Sequence, residues 1–383
     1  NWAITLAVDI STAAIVMQFW LPSVPGWVFS LIALVLIFTI NALSVRSFGE
    51  TEYWLSLIKV VTVLVFLVIG VLTIVGIMGG HATGLSNFTY KKAPFVGGIP
   101  TILSVFVVAG FSFQGTELIG ITAGESATPE KSIPAAIKQV FWRILLFYIL
   151  AIFVIAAIIP YTSKDLLGSS ASDIAISPFT LVFKRAGLAV AASVMNAVIL
   201  TSVLSAANSG MYASTRMLYS LSLQGYAPKT FGRVNRRGIP IMALLGTTVI
   251  GLLTFLSSLF GERIYIFLVS ASGLTGFIAW LGIAISHLRF RRAFVKQGHQ
   301  LSELRYHAKW FPFGPWFAFI LCVVVILGQD LHSFATLDWQ AIGVTYMSIP
   351  LFIILYVYYK IRYHTKMIPL DKVDLTRKRH HQD

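Results

Sequence analysis

Residues Gly110 to Gly120 read GFSFQGTELIG. The stretch lies inside an apolar run of about residues 96–121, yet it carries Ser112, Gln114, Thr116, Glu117 and three glycines. A carboxylate at the centre of a bilayer costs about 3 kcal/mol on insertion scales, and each glycine weakens a helix by about 1 kcal/mol relative to alanine. Non-helical backbone at that depth persists only where it is buried in protein or lines a water-filled cavity. Gly110, Gly115 and Gly120 let the backbone bend, and Ser112, Gln114 and Thr116 can satisfy the groups that a break frees. An interrupted helix also exposes a half-helix N-terminus, whose free N–H groups attract an anion such as a carboxylate. The stretch therefore predicts a broken helix forming half of a small-molecule site. A glycine packing seam is the competing reading. It does not call for Glu117, and glycines five apart do not fall on one helix face.

Composition sets the frame for this reading. The chain has 383 residues, of which 57% are hydrophobic and only 11% charged. Soluble domains carry about 25% charged residues, so this chain has too little polar surface to cover itself. A hydrocarbon core about 30 Å thick takes about 20 apolar residues per helix. Ten candidate spans follow: about 2–21, 26–44, 52–78, 96–121, 140–160, 187–213, 239–259, 264–287, 312–329 and 340–359. They are twice the length of barrel strands and apolar all round, so the expected class is an all-α polytopic membrane protein.

The net charge of +14 at first suggests a nucleic-acid partner, but the positions of the charges argue otherwise. If residue 1 faces the cytoplasm, 22 of the 29 lysines and arginines fall on the cytoplasmic side and six outside, with Lys59 inside a span. That asymmetry predicts both ends of the chain inside. The run RFRRAFVKQGH (Arg289 to His299) and the basic tail within 360–383, ending in TRKRHH, are then topology anchors touching anionic lipid. Asn87-Phe88-Thr89 matches a glycosylation triplet but carries little weight. The one cysteine, Cys322, sits in an apolar run and is expected to act as a small hydrophobe. No phosphate loop, dinucleotide fingerprint or HExxH occurs, so no cofactor or metal is expected. The first residues are apolar and lack both Met and the basic start of a signal peptide, as in a chain whose beginning is missing.

Three charged residues stand out within the spans: Asp9, Lys59 and Glu117. Such groups mark ion or substrate paths unless they merely pair with one another. Lys59 lies about two turns into its span, too deep to snorkel easily, and low dielectric disfavours an ammonium. It is therefore a candidate for exchanging protons. In ILTSVLSAANSGMYASTRMLYSL (Ile199 to Leu221), Ser202, Ser205, Asn208 and Ser209 share one helix face, which fits close packing and a substrate role equally. VSASGLTGFIAWLG (Val269 to Gly282) reads as small-residue packing. After the glycine-rich stretch, AGESATPEKSIPAAIKQVFWR (Ala123 to Arg143) predicts a helix interrupted at its prolines, then a short amphipathic segment that serves as hinge or connector.

From FSFQGTELIGITAGESATPEKSIPAAIKQVFWRILLFY through VMNAVILTSVLSAANSGMYASTRMLY, PFTLVF, GFIAWLGIAISH and KWFPFGP, the chain resembles the amino-acid permeases of the amino acid–polyamine–organocation superfamily, and among them bacterial lysine permeases. The resemblance covers essentially all 383 residues. It implies a single permease domain with two inverted five-helix repeats plus two helices, and sites at broken helices one and six. The first span here corresponds to the third family helix, so the fold is expected to lack its first two helices. By the same resemblance, Phe111 to Glu117 is the unwound segment, with Phe111 a gate over the substrate and Glu117 the partner of a cationic head group. Lys59 and Glu125 link the site to protons, Trp2 lines the cavity, and Ser205 and Asn208 pack near it. The implied activity is import of a cationic amino acid, L-lysine foremost, coupled to protons by alternating access in the bacterial inner membrane. A permease for another amino acid and a non-transporting amino-acid sensor are the alternatives, and an enzyme is not expected.

Overall fold

A computed structural model describes residues 1–43, 45–122, 129–167, 177–188, 191–304 and 307–375. The described residues form α-helices joined by turns and short 3₁₀ segments, with no strand among them. In chain order the helices are α1 Trp2–Gln18, α2 Gly26–Leu43, α3 Val45–Ile74, α4 Gly98–Phe113, α5 Leu118–Thr122, α6 Pro129–Arg143 and α7 Ala151–Ile158. Next come α8 Lys164–Leu167, α9 Pro178–Arg185, α10 Ala191–Leu223, α11 Ile241–Gly251, α12 Thr254–Phe260 and α13 Glu262–Lys296. The last are α14 Phe313–Gly328, α15 Leu331–Thr336, α16 Trp339–Tyr346 and α17 Ser348–Tyr363.

Six described stretches are long and apolar enough to cross a membrane, from Gly26–Leu43 to Phe313–Thr336. A seventh arises if α16 and α17, bent by 56° at their junction, form one span. This is a polytopic all-α membrane protein. In lipid every peptide group must find its partner within the segment, which is why apolar runs of this length become helices. The bend between α16 and α17 has a local cause. Pro350 has no N–H for the carbonyl of Tyr346, and its ring crowds that carbonyl.

Several boundaries depart from the sequence expectation. The prolines after residue 128 do not interrupt the chain, because Pro129 opens α6 and Pro134 lies within it. A π-helical segment, Ile144–Leu150, then carries the same rod into α7. The membrane-length stretch is Lys131–Ile158 rather than a span from residue 140. The run expected at 239–259 is two helices, α11 and α12. Helix α3 begins before residue 52, which places Glu52 inside the helix rather than at its edge.

The fold divides into two compact units, Asn1–Gly98 with Ile137–Ser272, and Ile99–Ala136 with Gly273–Asp383. At the centre of the first, α1 is enclosed by its neighbours. Leu6, Ile10 and Val16 are fully buried, and Leu6 and Ile10 share a core with Leu34, Ile37, Met211 and Leu244. Lipid tails are as apolar as leucine, so such packing rests on close fit rather than on escape from water. Small residues permit the fit: a Cβ on Gly251 of α11 would stand 3.1 Å from Leu6 Cδ2. Hydroxyl pairs then tie the helices, with Ser11 to Thr254 and to Ser257 at 2.8 Å, Thr5 to Ser272 at 2.6 Å and Thr12 to Tyr265 at 3.0 Å. Each such bond contributes about 0.6 kcal/mol in a membrane. A second core in this unit joins Phe66 of α3 to Val154 and Ile158 of α7 and Val182 of α9. The Asn87 amide donates to the Ala157 carbonyl oxygen at 2.7 Å, so the glycosylation triplet carries a structural asparagine.

In the second unit, Leu274 and Phe277 of α13 pack with Cys322, Val325 and Ile326 of α14. Cys322 is a buried free thiol, as expected. The basic run at the end of α13 makes contacts within the fold. Arg289 donates to the Ile368 carbonyl at 2.5 Å, Gln297 to the carbonyls of Leu370 and Val373, and Lys296 pairs with Asp371 at 3.6 Å. These contacts clamp the segment after α17.

Gly110 holds α4 against α13, because a Cβ there would fall 2.2 Å from the Phe277 ring. Phe277 is itself buried and cannot swing clear. Gly110→Ala is therefore expected to destabilise the protein by about 2 kcal/mol through overpacking. A lowered thermal midpoint in detergent would report it. Gly120→Ala is the control, since a Cβ at that position meets nothing within 4 Å.

Candidate functional site

Helix α4 stops at Phe113, and residues 114–117 form a turn before α5. Gly115 sits at φ +100°, a conformation that a side chain would strain. The turn closes with Leu118 N–H on the Gly115 carbonyl at 3.3 Å and Gly120 N–H on the Glu117 carbonyl at 2.9 Å. The backbone interruption read from GFSFQGTELIG is present.

The anion at this break belongs to the chain itself. Glu117 Oε2 accepts from the Gly115 N–H at 3.2 Å and, more weakly, from the Thr116 hydroxyl at 3.5 Å. The indole N–H of Trp280 donates to the same oxygen at 3.2 Å. Trp280 packs edge-on against Phe277 at 5.2 Å, which fixes the direction of its N–H. One turn earlier on α13, Gly276 leaves the space that the Gln114 side chain fills, since a Cβ there would lie 2.7 Å from Gln114 Nε2. The Ser/Gly/Thr richness of this span thus serves packing, as the sequence suggests. Glu117 Oε1 is buried and has no hydrogen-bond partner among the described residues. One carboxylate oxygen is saturated by the protein and the other remains an uncommitted acceptor, an arrangement suited to a cation that brings its own donors.

In the first unit the structure brings Lys59 and Ser205 together and adds a residue that the sequence reading missed. Lys59 Nζ donates to Ser205 Oγ at 2.7 Å, Ser205 Oγ donates to Glu52 Oε1 at 2.5 Å, and Lys59 stands 3.6 Å from the same carboxylate oxygen. Asn208, one turn further along α10, is buried and accepts from Asn41 Nδ2 at 2.8 Å, while its own Nδ2 has no partner among the described residues. Asp9 is buried on α1 with Oδ2 unpartnered among the described residues. Trp2 opens α1 and presents its carbonyl to Gly210. Phe111 falls in the last turn of α4 and Ser112 is exposed. Glu125 lies outside the described residues. Trp280 and Glu52 were both open to detection: one as an indole donor two turns beyond Ser272 and Gly273, the other as a carboxylate seven residues before Lys59, on the same helix face.

Compared with known proteins, residues 1–370 match the amino acid permease family. The lysine-specific permease LysP of Lactococcus lactis is 60% identical across 98% of this chain and 75% of its own length. LysP of Escherichia coli is 57% identical across 94% of this chain and 75% of its own length. The histidine permease HisP of Lactococcus lactis is 55% identical, covering 99% and 80%.

Proposed function

We propose that this chain, which belongs to the amino acid permease family, is a proton-coupled importer of a cationic amino acid, foremost L-lysine, working by alternating access. The observation that carries the reading is Glu117 at a helix break, with one oxygen fixed by Gly115 and Trp280 and the other buried without a partner among the described residues. A buried carboxylate left half-bonded favours a charged donor, and a charge-assisted bond is about twice as strong as a neutral one. In this reading Glu117 takes the cationic head group and the stretch from Ser112 to Thr116 borders the substrate, with Phe111 as a gate. Lys59 carries the proton, Glu125 assists it, and Trp2, Ser205 and Asn208 belong to the cavity-lining helices.

Similarity to lysine permeases at 57–60% identity supports the choice of lysine. The histidine permease at 55% favours histidine as the second reading. The protein is assigned to the bacterial plasma membrane as a single permease domain with both ends of this chain cytoplasmic, as the basic residues distribute.

The test is uptake of labelled lysine by the intact protein in liposomes, with and without an inward proton gradient. The expected result is accumulation against the lysine gradient that is lost when the proton gradient is collapsed, with competition by unlabelled lysine stronger than by histidine. Uptake indifferent to the proton gradient removes the coupling. Binding without accumulation indicates a sensor instead.

A further inference from the structure

Helix α3 places Glu52 and Lys59 seven residues apart, so both lie on one face with about 10.5 Å of helix axis between their backbones. Direct contact across that distance needs extended side chains, and Lys59, leaning toward the start of the helix, supplies most of the reach. Ser205 of α10 fills the remaining gap. Its hydroxyl accepts from Lys59 at 2.7 Å and donates to Glu52 at 2.5 Å. Every donor in this chain of bonds points the same way, from the ammonium to the carboxylate. Glu52 Oε2 is buried and makes no hydrogen bond among the described residues. The side chains of Lys59 and Glu52 are 30% and 23% exposed, so the pair is partly buried rather than sealed in the core. Beyond Glu52, the charged groups that face Lys59 are Asp9 of α1 and Arg143 of α6.

We propose that Glu52 and Ser205 form a proton relay for Lys59, conducting its proton toward the Arg46 end of α3. The inference rests on the reading of Lys59 as the proton carrier. The step balances without any further reactant. An N–H bond of the Lys59 ammonium breaks as that proton joins Ser205 Oγ, and the hydroxyl proton of Ser205 passes to Glu52 Oε1. Lysine ends neutral, serine unchanged and Glu52 as a carboxylic acid. The acid, whose side chain is partly exposed, is then the group from which the proton leaves toward the Arg46 end of α3. A charge pair that served only packing would have no need of an oriented hydroxyl between its members.

The experiment compares two rates in one liposome preparation of the intact protein: lysine accumulation driven by a proton gradient, and exchange of external labelled lysine for internal unlabelled lysine, which moves no net proton. Glu52→Gln keeps the size and the acceptor oxygen but cannot take up a proton in this way. It is expected to lower accumulation at least about tenfold more than it lowers exchange and to flatten the pH profile of uptake, the scale at which a positioned proton-transfer group acts. Ser205→Ala, which cuts the chain of bonds, is expected to do the same. Ser205→Thr, which keeps a hydroxyl, is expected to restore the wild-type ratio. An equal loss of accumulation and exchange in Glu52→Gln, or a wild-type pH profile, overturns the relay. Lys59→Ala separates the two levels of the argument. If it abolishes coupling while Glu52→Gln does not, the relay fails and the role of Lys59 stands. If Lys59→Ala still accumulates lysine normally, both fail.

Discussion

Replacing Glu117 by glutamine is expected to lower the kcat/KM of lysine uptake about 30-fold, the equivalent of about 2 kcal/mol for losing the charge from a charge-assisted hydrogen bond. The substitution suits the question because it spares the architecture. A glutamine carbonyl oxygen can still accept from the Gly115 N–H and the Trp280 indole, so the turn at residues 114–117 keeps its internal partners. What disappears is the negative charge that Oε1 offers to a cation. The loss should therefore depend on the guest. Uptake of lysine falls steeply, whereas inhibition by a neutral side chain of similar length, such as norleucine, weakens little. Measuring both in the same liposomes decides between charge recognition and structural collapse. A parallel fall for lysine and norleucine would assign Glu117 to holding the break together. Equal lysine uptake in the variant would falsify its role as the cation's partner.

The interruption at residues 114–117 was legible because it contradicts its surroundings. Hydrocarbon tolerates neither Glu117 nor a residue at positive φ unless the protein surrounds them, so composition alone located the break. The class of fold was legible for the same reason, since apolar runs of about 20 residues have no other satisfied form in lipid. The helix boundaries were less so. Pro134 reads locally as a stop, yet near the start of a helix a missing N–H removes one bond only, and the rod continues through a π-helical segment to Ile158. Conversely, nothing polar marks residues 252–253, where the run between 241 and 260 divides. The partners of the named residues were hidden because they depend on tertiary approach. Trp280 meets Glu117 across 163 positions of sequence, and Ser205 meets Glu52 across 153. Glu52 was passed over because the span was drawn to begin at it, and a charge at a span's edge is ordinary. Two helix turns of error in a boundary changed its meaning. The basic run Arg289 to His299 shows the opposite limit, since its charge pattern reads as a lipid anchor while its arginine, lysine and glutamine side chains grip the segment from Ile368 to Val373.

Lys59→Arg is expected to fail in coupling as completely as Lys59→Ala, and that equivalence distinguishes a proton carrier from a structural cation. In the fold, Lys59 makes a bond to Ser205 and an ion pair with Glu52, both of which a guanidinium can reproduce with its several donors. If the pair existed only to hold α3 against α10, arginine would serve and transport would survive. A proton carrier must give up its proton within the cycle, and arginine remains charged at any working pH. Both variants are therefore expected to reduce gradient-driven accumulation by about two orders of magnitude, as loss of a general acid–base group does. They should differ in stability. Alanine leaves the Glu52 carboxylate without its cation and removes the donor that Ser205 accepts, whereas arginine keeps both contacts, so only alanine should lower the thermal midpoint in detergent. Accumulation ratio and thermal midpoint, measured on the same two proteins, thus give a crossed result for a carrier: transport lost in both, stability lost in one. Transport retained by arginine and lost by alanine would return Lys59 to the packing of the first unit and leave the coupling to another group.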